Sequence, residues 1–152
     1  MTTRPVPHVL AEFQDLSGRP DLAEFEVLAE DCPSRPVLDH VTGRWGTLIV
    51  LSLHDGPRRF SEIRRAVAGI NDKALSQGLR HLERDGLVLR NASDRFPSRV
   101  EYRLTEIGAG MEARLREMVS YLYANMGEVL DAQAGYDGDR AAHRPAAAET
   151  DA

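Results

Sequence analysis

The chain has 152 residues, of which 42% are hydrophobic and 28% charged, as is ordinary for one globular domain with tails. No apolar run approaches the roughly 20 residues that a membrane-spanning helix needs, and the first residues lack the pattern of a signal peptide. We therefore expect a cytoplasmic protein. The single cysteine excludes an intrachain disulfide and a zinc site built from several thiolates.

The formal net charge of −5 is unevenly distributed along the chain. Residues 56–103 contain eleven Lys and Arg against six Asp and Glu, whereas the remainder contains eight against eighteen. The middle segment thus carries +5 and the rest −10. This asymmetry indicates a basic working surface on an acidic body, but a mixed-charge solvated face would give the same count.

The amino-terminal part of the chain predicts an extension followed by short helices. Residues 1–20 are polar with three prolines and are expected to be flexible. Residues 21–30 can form a short acidic helix. Residues 37–53 are rich in helix formers, with Gly43 as the expected break between two helices.

The middle of the chain predicts two helices joined by a tight turn. An apolar stripe over residues 60–67 indicates a helix of about three turns. Gly69 lies in the connection, and Asn71 is a plausible N-cap for the next helix. That helix has a leucine stripe and ends before Gly86. The leucines are Leu75, Leu79 and Leu82.

The carboxy-terminal part predicts a hairpin, a long helix and a tail. Residues 87–90 and 100–104 are strand-like, with residues 91–99 as the loop between them. Thr105 can cap a helix whose apolar stripe runs from Ile107 to Val129 over about six turns. Residues 132–152 are rich in Gly, Ala and Asp and are expected to be disordered, leaving 21–131 as the folded domain.

Two helices joined by a Gly-containing turn and followed by an antiparallel hairpin predict a winged helix-turn-helix. The fold class is therefore mainly α with a small β wing. With its leucines buried, the second helix presents polar groups that suit base edges and phosphates in the major groove of double-stranded DNA, and the hairpin loop could reach a flanking minor groove. Any amphipathic helix has a polar outer face, so each residue alone is weak evidence. The predicted DNA-contacting residues are Arg58, Arg59, Asp72, Lys73, Ser76, Gln77, Arg80, Arg95, Ser98 and Arg99.

Several motifs in the same order resemble the HxlR-type regulators, relatives of the MarR group. They are Cys32-Pro33, Gly43-Arg44-Trp45, residues 55–63, 74–77, 82–88, Pro97 and residues 100–108. The resemblance implies a dimeric bacterial or archaeal repressor or activator that is joined through its amino- and carboxy-terminal helices. Asn71 and Gly78 depart from the family pattern, which has a hydroxyl residue and a long polar residue there. The preference of relatives for particular DNA sequences therefore does not carry over to this chain.

A homodimer is also indicated by the apolar stripe, because one compact winged domain cannot cover six turns of helix. A two-fold dimer would place two reading helices about 34–36 Å apart and predicts a palindromic operator. The alternative, a helix lying wholly on its own domain, stays open. The predicted interface residues are Leu22, Phe25, Leu28, Met118, Tyr121, Leu122, Met126 and Val129.

Among all residues, Cys32 is the strongest candidate for a redox switch. It precedes a predicted helix N-terminus, which favours the thiolate, whereas Glu30 and Asp31 oppose it. The resemblance implies redox sensing, because several HxlR-type relatives use a cysteine here; a small residue at a helix junction is the plain alternative. With no second thiol, oxidation would require a disulfide to another molecule or an adduct.

We predict no catalytic site, metal or cofactor. The five histidines are scattered, and residues 108–113 fit a dinucleotide fingerprint only loosely, because no βαβ unit surrounds them. A small-ligand pocket near Trp45, Phe25, Met118 and Tyr121 is compatible with a regulator. The main alternative is a winged-helix module that contacts another protein without reading DNA.

Overall fold

The computed structural model describes residues 27–144, which form two compact units, residues 27–113 and 114–144. The predicted extension over residues 1–20, and Leu22 and Phe25, lie outside this range. The elements in chain order are α1 (Ser34–Thr42), α2 (Gly46–Ser52), β1 (Arg58–Arg59), α3 (Phe60–Ala66), α4 (Asp72–Arg84), β2 (Val88–Ala92), β3 (Val100–Leu104), α5 (Glu106–Ala124) and α6 (Met126–Ala142).

The predicted break near Gly43 separates α1 from α2. Gly43 is the C-cap residue of α1, and its backbone N–H donates to the Asp39 carbonyl. The short helix predicted over residues 21–30 is wrong for its described part, because residues 27–30 form turns. Pro33 and Pro36 follow closely in the sequence and disfavour a helix running into α1 from this side.

Helices α3 and α4 form the helix-turn-helix. Helix α3 has seven residues, shorter than the three turns expected. The turn passes through Gly69 with φ of +86°, a conformation that a residue with a Cβ adopts only at a cost. The Asn71 side chain accepts a hydrogen bond of 2.7 Å from the Ala74 N–H, which confirms it as the N-cap of α4.

Apolar side chains from the helices and the sheet share one core in the first unit. The α4 stripe is completely covered, with Leu75, Leu79 and Leu82 each no more than 1% exposed. Ile49 of α2 and Ile63 of α3 are equally buried. Each such side chain contributes about 1.5–3 kcal/mol by leaving water, so burial of its leucines orients α4 and fixes which of its residues face outward.

The sheet has three antiparallel strands in the order β1-β3-β2. The hairpin forms as predicted, with Val88 opposite Leu104 and Ala92 opposite Val100. Residues 91 and 92, predicted to belong to the loop, extend β2, so the loop is shorter than expected. Strand β1 has only two residues, and Arg58 pairs with Tyr102 across the sheet. So short a strand carries no alternation that a sequence could reveal.

The long carboxy-terminal helix predicted as one piece is two helices. Helix α5 ends at Ala124, and Asn125 interrupts it, with its side-chain N–H donating 2.7 Å to the Tyr121 carbonyl. Asparagine competes in this way with the backbone bonds of a helix. The prediction of disorder from residue 132 is also wrong up to Ala142, because α6 continues to that residue. Residues 132–142 contain four alanines, the residue with the highest helix preference.

Within residues 27–144, no helix combines the length and apolarity that crossing a membrane requires.

Candidate nucleic-acid interface

The outer face of α4 carries the predicted reading residues in the predicted orientation. Lys73, Gln77 and Arg80 are exposed, and Ser76 is half-buried. Because the leucines on the opposite face are buried, α4 cannot turn these groups inward without opening the core. The helix therefore presents two cations and a carboxamide on one solvent-facing side.

Asp72 begins α4 but is engaged within the protein. Its carboxylate forms an ion pair with the Arg64 guanidinium of α3, across the turn between the two helices. Both side chains are largely exposed, so the pair adds little stability, but it holds the acid away from free contact with a ligand. The geometry favours Asp72 as a residue that positions Arg64 and the turn.

Gly78, where the family pattern has a long polar residue, faces Ile49 of α2. A Cβ built there would lie 2.7 Å from Cδ1 of Ile49 on α2. The glycine thus lets α2 and α4 approach closely. A long side chain at this position would first have to displace Ile49, so it would not project directly toward DNA.

Arg58 and Arg59, two of the predicted DNA-contacting residues, lie on β1, directly before α3. Arg59 is the N-cap residue of α3, and its backbone N–H donates 2.7 Å to the Glu62 carboxylate. The Arg58 guanidinium lies 3.8 Å from the Asp55 carboxylate. Both arginines are half-buried, so they support the start of α3 while keeping part of their surface exposed.

The wing places its loop in solvent. Residues 93–99 are all exposed, and the Ser93 N–H donates 2.8 Å to the Arg99 carbonyl, which closes the loop. Arg95, Ser98 and Arg99 therefore stand free of the core. Phe96, at the centre of the loop, is 100% exposed.

A surface depression joins α4 to the wing strands. Its lining includes Arg80 of α4 together with Arg90 of β2 and Tyr102 of β3. Arg90 was missed in the sequence, where the only signal was a basic residue at the end of a strand-like run. Arg80 of the reading helix and Arg90 of the wing thus line one depression, which also contains the acidic Glu83.

Five exposed cations on α4 and the wing form no ion pair with any residue in the described part of the chain. Within residues 27–144, other arginines such as Arg58 and Arg64 form ion pairs, but none of the five does so. The five are Lys73, Arg80, Arg90, Arg95 and Arg99. Unpaired exposed cations attract a polyanion, and each phosphate neutralised releases counterions.

The far end of α4 is anchored to α1. His40 Nδ1 and the Asp85 carboxylate lie 2.6 Å apart, and the Asp85 side chain is only 3% exposed. The His40 and His81 rings stack with centroids 4.2 Å apart. Together with the Asn71 cap, these contacts fix α4 at both ends.

Cys32 lies two residues before α1, as predicted. The residue is 6% exposed, and its Sγ lies 3.1 Å from the Ser34 hydroxyl. The thiol is therefore buried, and it contacts a hydroxyl group at the beginning of α1.

The predicted dimer residues that the structure describes leave much apolar surface exposed. Leu28, Met118, Tyr121 and Leu122 are between 47% and 75% exposed. Met126 and Val129 are half-buried.

A helix-turn-helix with an exposed basic reading face and a wing defines a transcription regulator of the winged-helix class. Residues 40–129 match the family model of the HxlR-like helix-turn-helix, and the chain belongs to this family. The HTH-type transcriptional regulator YtfH of Escherichia coli is 43% identical over 109 residues, which are 72% of this chain and 86% of the relative.

Solved structures of regulators have the same fold. The ytfH regulator from Salmonella typhimurium is 40% identical, with a TM-score of 0.68 over 73% of this chain and 99% of that one. The redox regulator HypR in its reduced form is 35% identical, with a TM-score of 0.59 over 66% of this chain and 98% of that one. These comparisons confirm the family, the fold class and the transcription-regulating function predicted from the sequence.

Proposed function

We propose that the protein is a homodimeric regulator that reads a palindromic operator with α4 in the major groove. The observation that carries the proposal is the two-sided character of α4, whose leucines are buried while Lys73, Gln77 and Arg80 are exposed. A major groove about 12 Å wide admits such a helix. The expected place of action is the cytoplasm, as for regulators of bacterial and archaeal DNA.

The residue types fit distinct parts of the duplex. Gln77 can pair bidentately with an adenine, and Arg80 or Lys73 with a guanine or a phosphate. Arg95 and Arg99 on the wing would contact a flanking minor groove or its phosphates. Arg90 borders the same depression as Arg80 and would add a phosphate contact between helix and wing.

Dimerisation would explain the apolar residues that α5 and α6 leave exposed. Tyr121 is 75% exposed and Leu122 47%, and a partner chain would remove both from water. Two reading helices related by a two-fold axis require two half-sites one helical turn apart, so a palindrome in the bound DNA is the signature of the dimer.

Selection of bound duplexes from a random pool tests the function. We expect a palindromic site, and a log–log salt slope of roughly −0.9 per phosphate neutralised. Gln77→Ala should weaken binding about tenfold or more and relax the preference at one base of each half-site, because a bidentate base contact contributes about 1–3 kcal/mol.

Gln133→Ala is the matched control, since Gln133 is an exposed glutamine on α6 outside the reading surface, and its variant should bind as the wild type does. A protein-contact module would enrich no sequence, and its residual DNA binding would not respond to Gln77→Ala. That outcome would reject the proposed readout.

The Cys32 thiol is a candidate control point. The similarity to the redox regulator HypR and the place of Cys32 at the start of α1 support this proposal. Since Cys32 is the chain's single cysteine, a diamide-type oxidant must join it to a thiol of another molecule, with loss of two hydrogens to the oxidant.

Diamide treatment is expected to lower operator affinity at least tenfold in the wild type and leave Cys32→Ser unchanged. A reductant should restore the wild type, because disulfide formation is reversible. An equal response of both proteins would show that the thiol is not the sensor. A small-molecule effector remains the other predicted signal.

A further inference from the structure

The tip of the wing carries the most exposed large apolar side chain among the described residues. Phe96 is 100% exposed, whereas Tyr121, the next most exposed, is 75%. The loop around Phe96 is not loose: the Ser93 N–H donates to the Arg99 carbonyl at 2.8 Å, and the Arg95 N–H donates to the Ser93 hydroxyl at 3.2 Å. The ring is therefore held at the end of a closed hairpin, away from the apolar core.

The charges beside Phe96 define the kind of surface that would cover it. Arg95 and Arg99 are exposed and make no ion pair among the described residues, and Asp94 is the loop's single acid. A fitting partner must therefore offer an apolar slot with negative charges on both sides. A base-pair step has this chemistry, since the stacked bases are apolar and each is flanked by phosphates.

The position of the wing favours a duplex over other anionic surfaces. Arg80 of α4 and Arg90 of the wing line one depression, so a duplex that meets Arg80 passes along the wing. Apolar side chains that enter the minor groove between base pairs unstack the step and kink the duplex by about 20–90°.

We propose that Phe96 is an apolar wedge that enters the minor groove beside each half-site and partly unstacks one base step. The wedge rests on the proposed function, because it requires that α4 and the wing dock on DNA. Pyrimidine–purine steps unstack at the lowest cost, so the flanks of the operator should favour TA or CA/TG at one fixed distance from the half-site.

The test uses the full-length protein and the selected operator with 2-aminopurine at successive flanking positions. Wild-type protein should raise the fluorescence at one position on each side, because 2-aminopurine brightens when it leaves the stack. Phe96→Ala should abolish the rise and weaken binding about tenfold, while Phe96→Leu should keep part of both effects because it keeps an apolar side chain.

The salt dependence separates the wedge from a charge contact. Phe96→Ala should leave the log–log salt slope unchanged, whereas Arg99→Ala should make it shallower by about 2, because the dimer loses one phosphate contact at each half-site. Since Phe96 contributes nothing to the core, both Phe96 variants should have the melting temperature of the wild type. A lowered melting temperature would assign the ring to the fold and overturn the wedge.

The outcomes distinguish the two proposals. If wild-type protein binds its operator and Phe96→Ala shows the same affinity and fluorescence, the wedge is overturned and the readout by α4 stands. If wild-type protein selects no DNA, both fall. If Phe96→Ala loses binding only to vesicles containing phosphatidylserine, the ring serves a membrane surface and the wedge is equally overturned.

Discussion

Replacing Gly108 by alanine is expected to destabilise the first unit by about 3 kcal/mol or more, at or beyond the upper end of typical overpacking effects. A Cβ at this position would lie 1.9 Å from the Leu87 carbonyl oxygen and 2.9 Å from its carbon. Both atoms belong to the backbone, so no side-chain rotation relieves the clash. Equilibrium unfolding in urea should show a clearly lower midpoint for the variant.

Neighbouring hydrogen bonds prevent an easy adjustment. The Leu87 carbonyl accepts from the Thr105 N–H at 3.0 Å, and the Thr105 hydroxyl donates to the Gly86 carbonyl at 2.6 Å. The Gly108 N–H in turn donates 3.0 Å to the Thr105 hydroxyl. Moving the start of α5 away from Leu87 would therefore break this network as well, which adds to the cost of the methyl group.

Gly127→Ala is the matched control, because the same methyl group enters a helix in open space. Nothing lies within 4 Å of a Cβ at Gly127 on α6. This variant should be as stable as the wild type or more stable by up to about 1 kcal/mol, the helix preference of alanine over glycine. Equal unfolding midpoints for the Gly108 and Gly127 variants would contradict the close packing at Leu87.

The reading helix could be predicted from the sequence because its information is local. The spacing of Leu75, Leu79 and Leu82 sets the buried face, and Asn71 sets the beginning. The wing followed from two strand-like runs of adequate length. Once these elements are placed, the exposure of Lys73 and Gln77 follows from helix geometry alone.

Features that depend on distant parts of the chain could not be predicted. Strand β1 exists because Arg58 and Arg59 meet β3, more than 40 residues later, and two residues carry no pattern of their own. Gly108 invited comparison with a dinucleotide fingerprint, whereas its position is explained by the carbonyl of Leu87. The inward direction of Gly78 likewise depends on where Ile49 lies.

In the candidate site, too, local features could be predicted and features that join distant elements could not. Single residues on α4 were predictable, but the joining of Arg80 and Arg90 in one depression required the packing of helix on sheet. The pairing of Asp72 with Arg64 also crosses two elements. Phe96 had no periodic partner, and its significance comes from its complete exposure, which a sequence does not give.

Leu75→Ala is expected to destabilise the same unit by about 2–5 kcal/mol, the range for a leucine removed from a closed core. Leu75 is 0% exposed in the middle of the contact between α4 and its neighbours. Its methyl groups leave a cavity that the anchored helix cannot close, because α4 is held at Asn71 and Asp85. Thermal and urea unfolding measure the loss.

Leu89→Ala provides the control, since it deletes the same atoms from a side chain that is 41% exposed on β2. We expect a loss below about 1 kcal/mol there, because much of the Leu89 side chain already contacts water. Comparable losses in the two leucine variants would contradict the buried stripe on which the orientation of α4 depends.

The operator affinity of Leu75→Ala separates packing from reading. Leu75 faces away from the groove, so the folded fraction should keep the wild-type site preference, and its apparent Kd should rise only as far as the protein unfolds. Gln77→Ala should have the opposite effects, because Gln77 is exposed. The free energy of unfolding of this variant should stay within about 0.5 kcal/mol of the wild type, while its preference for one base relaxes. These opposite effects, two residues apart on one helix, follow directly from burial on one side of α4 and exposure on the other.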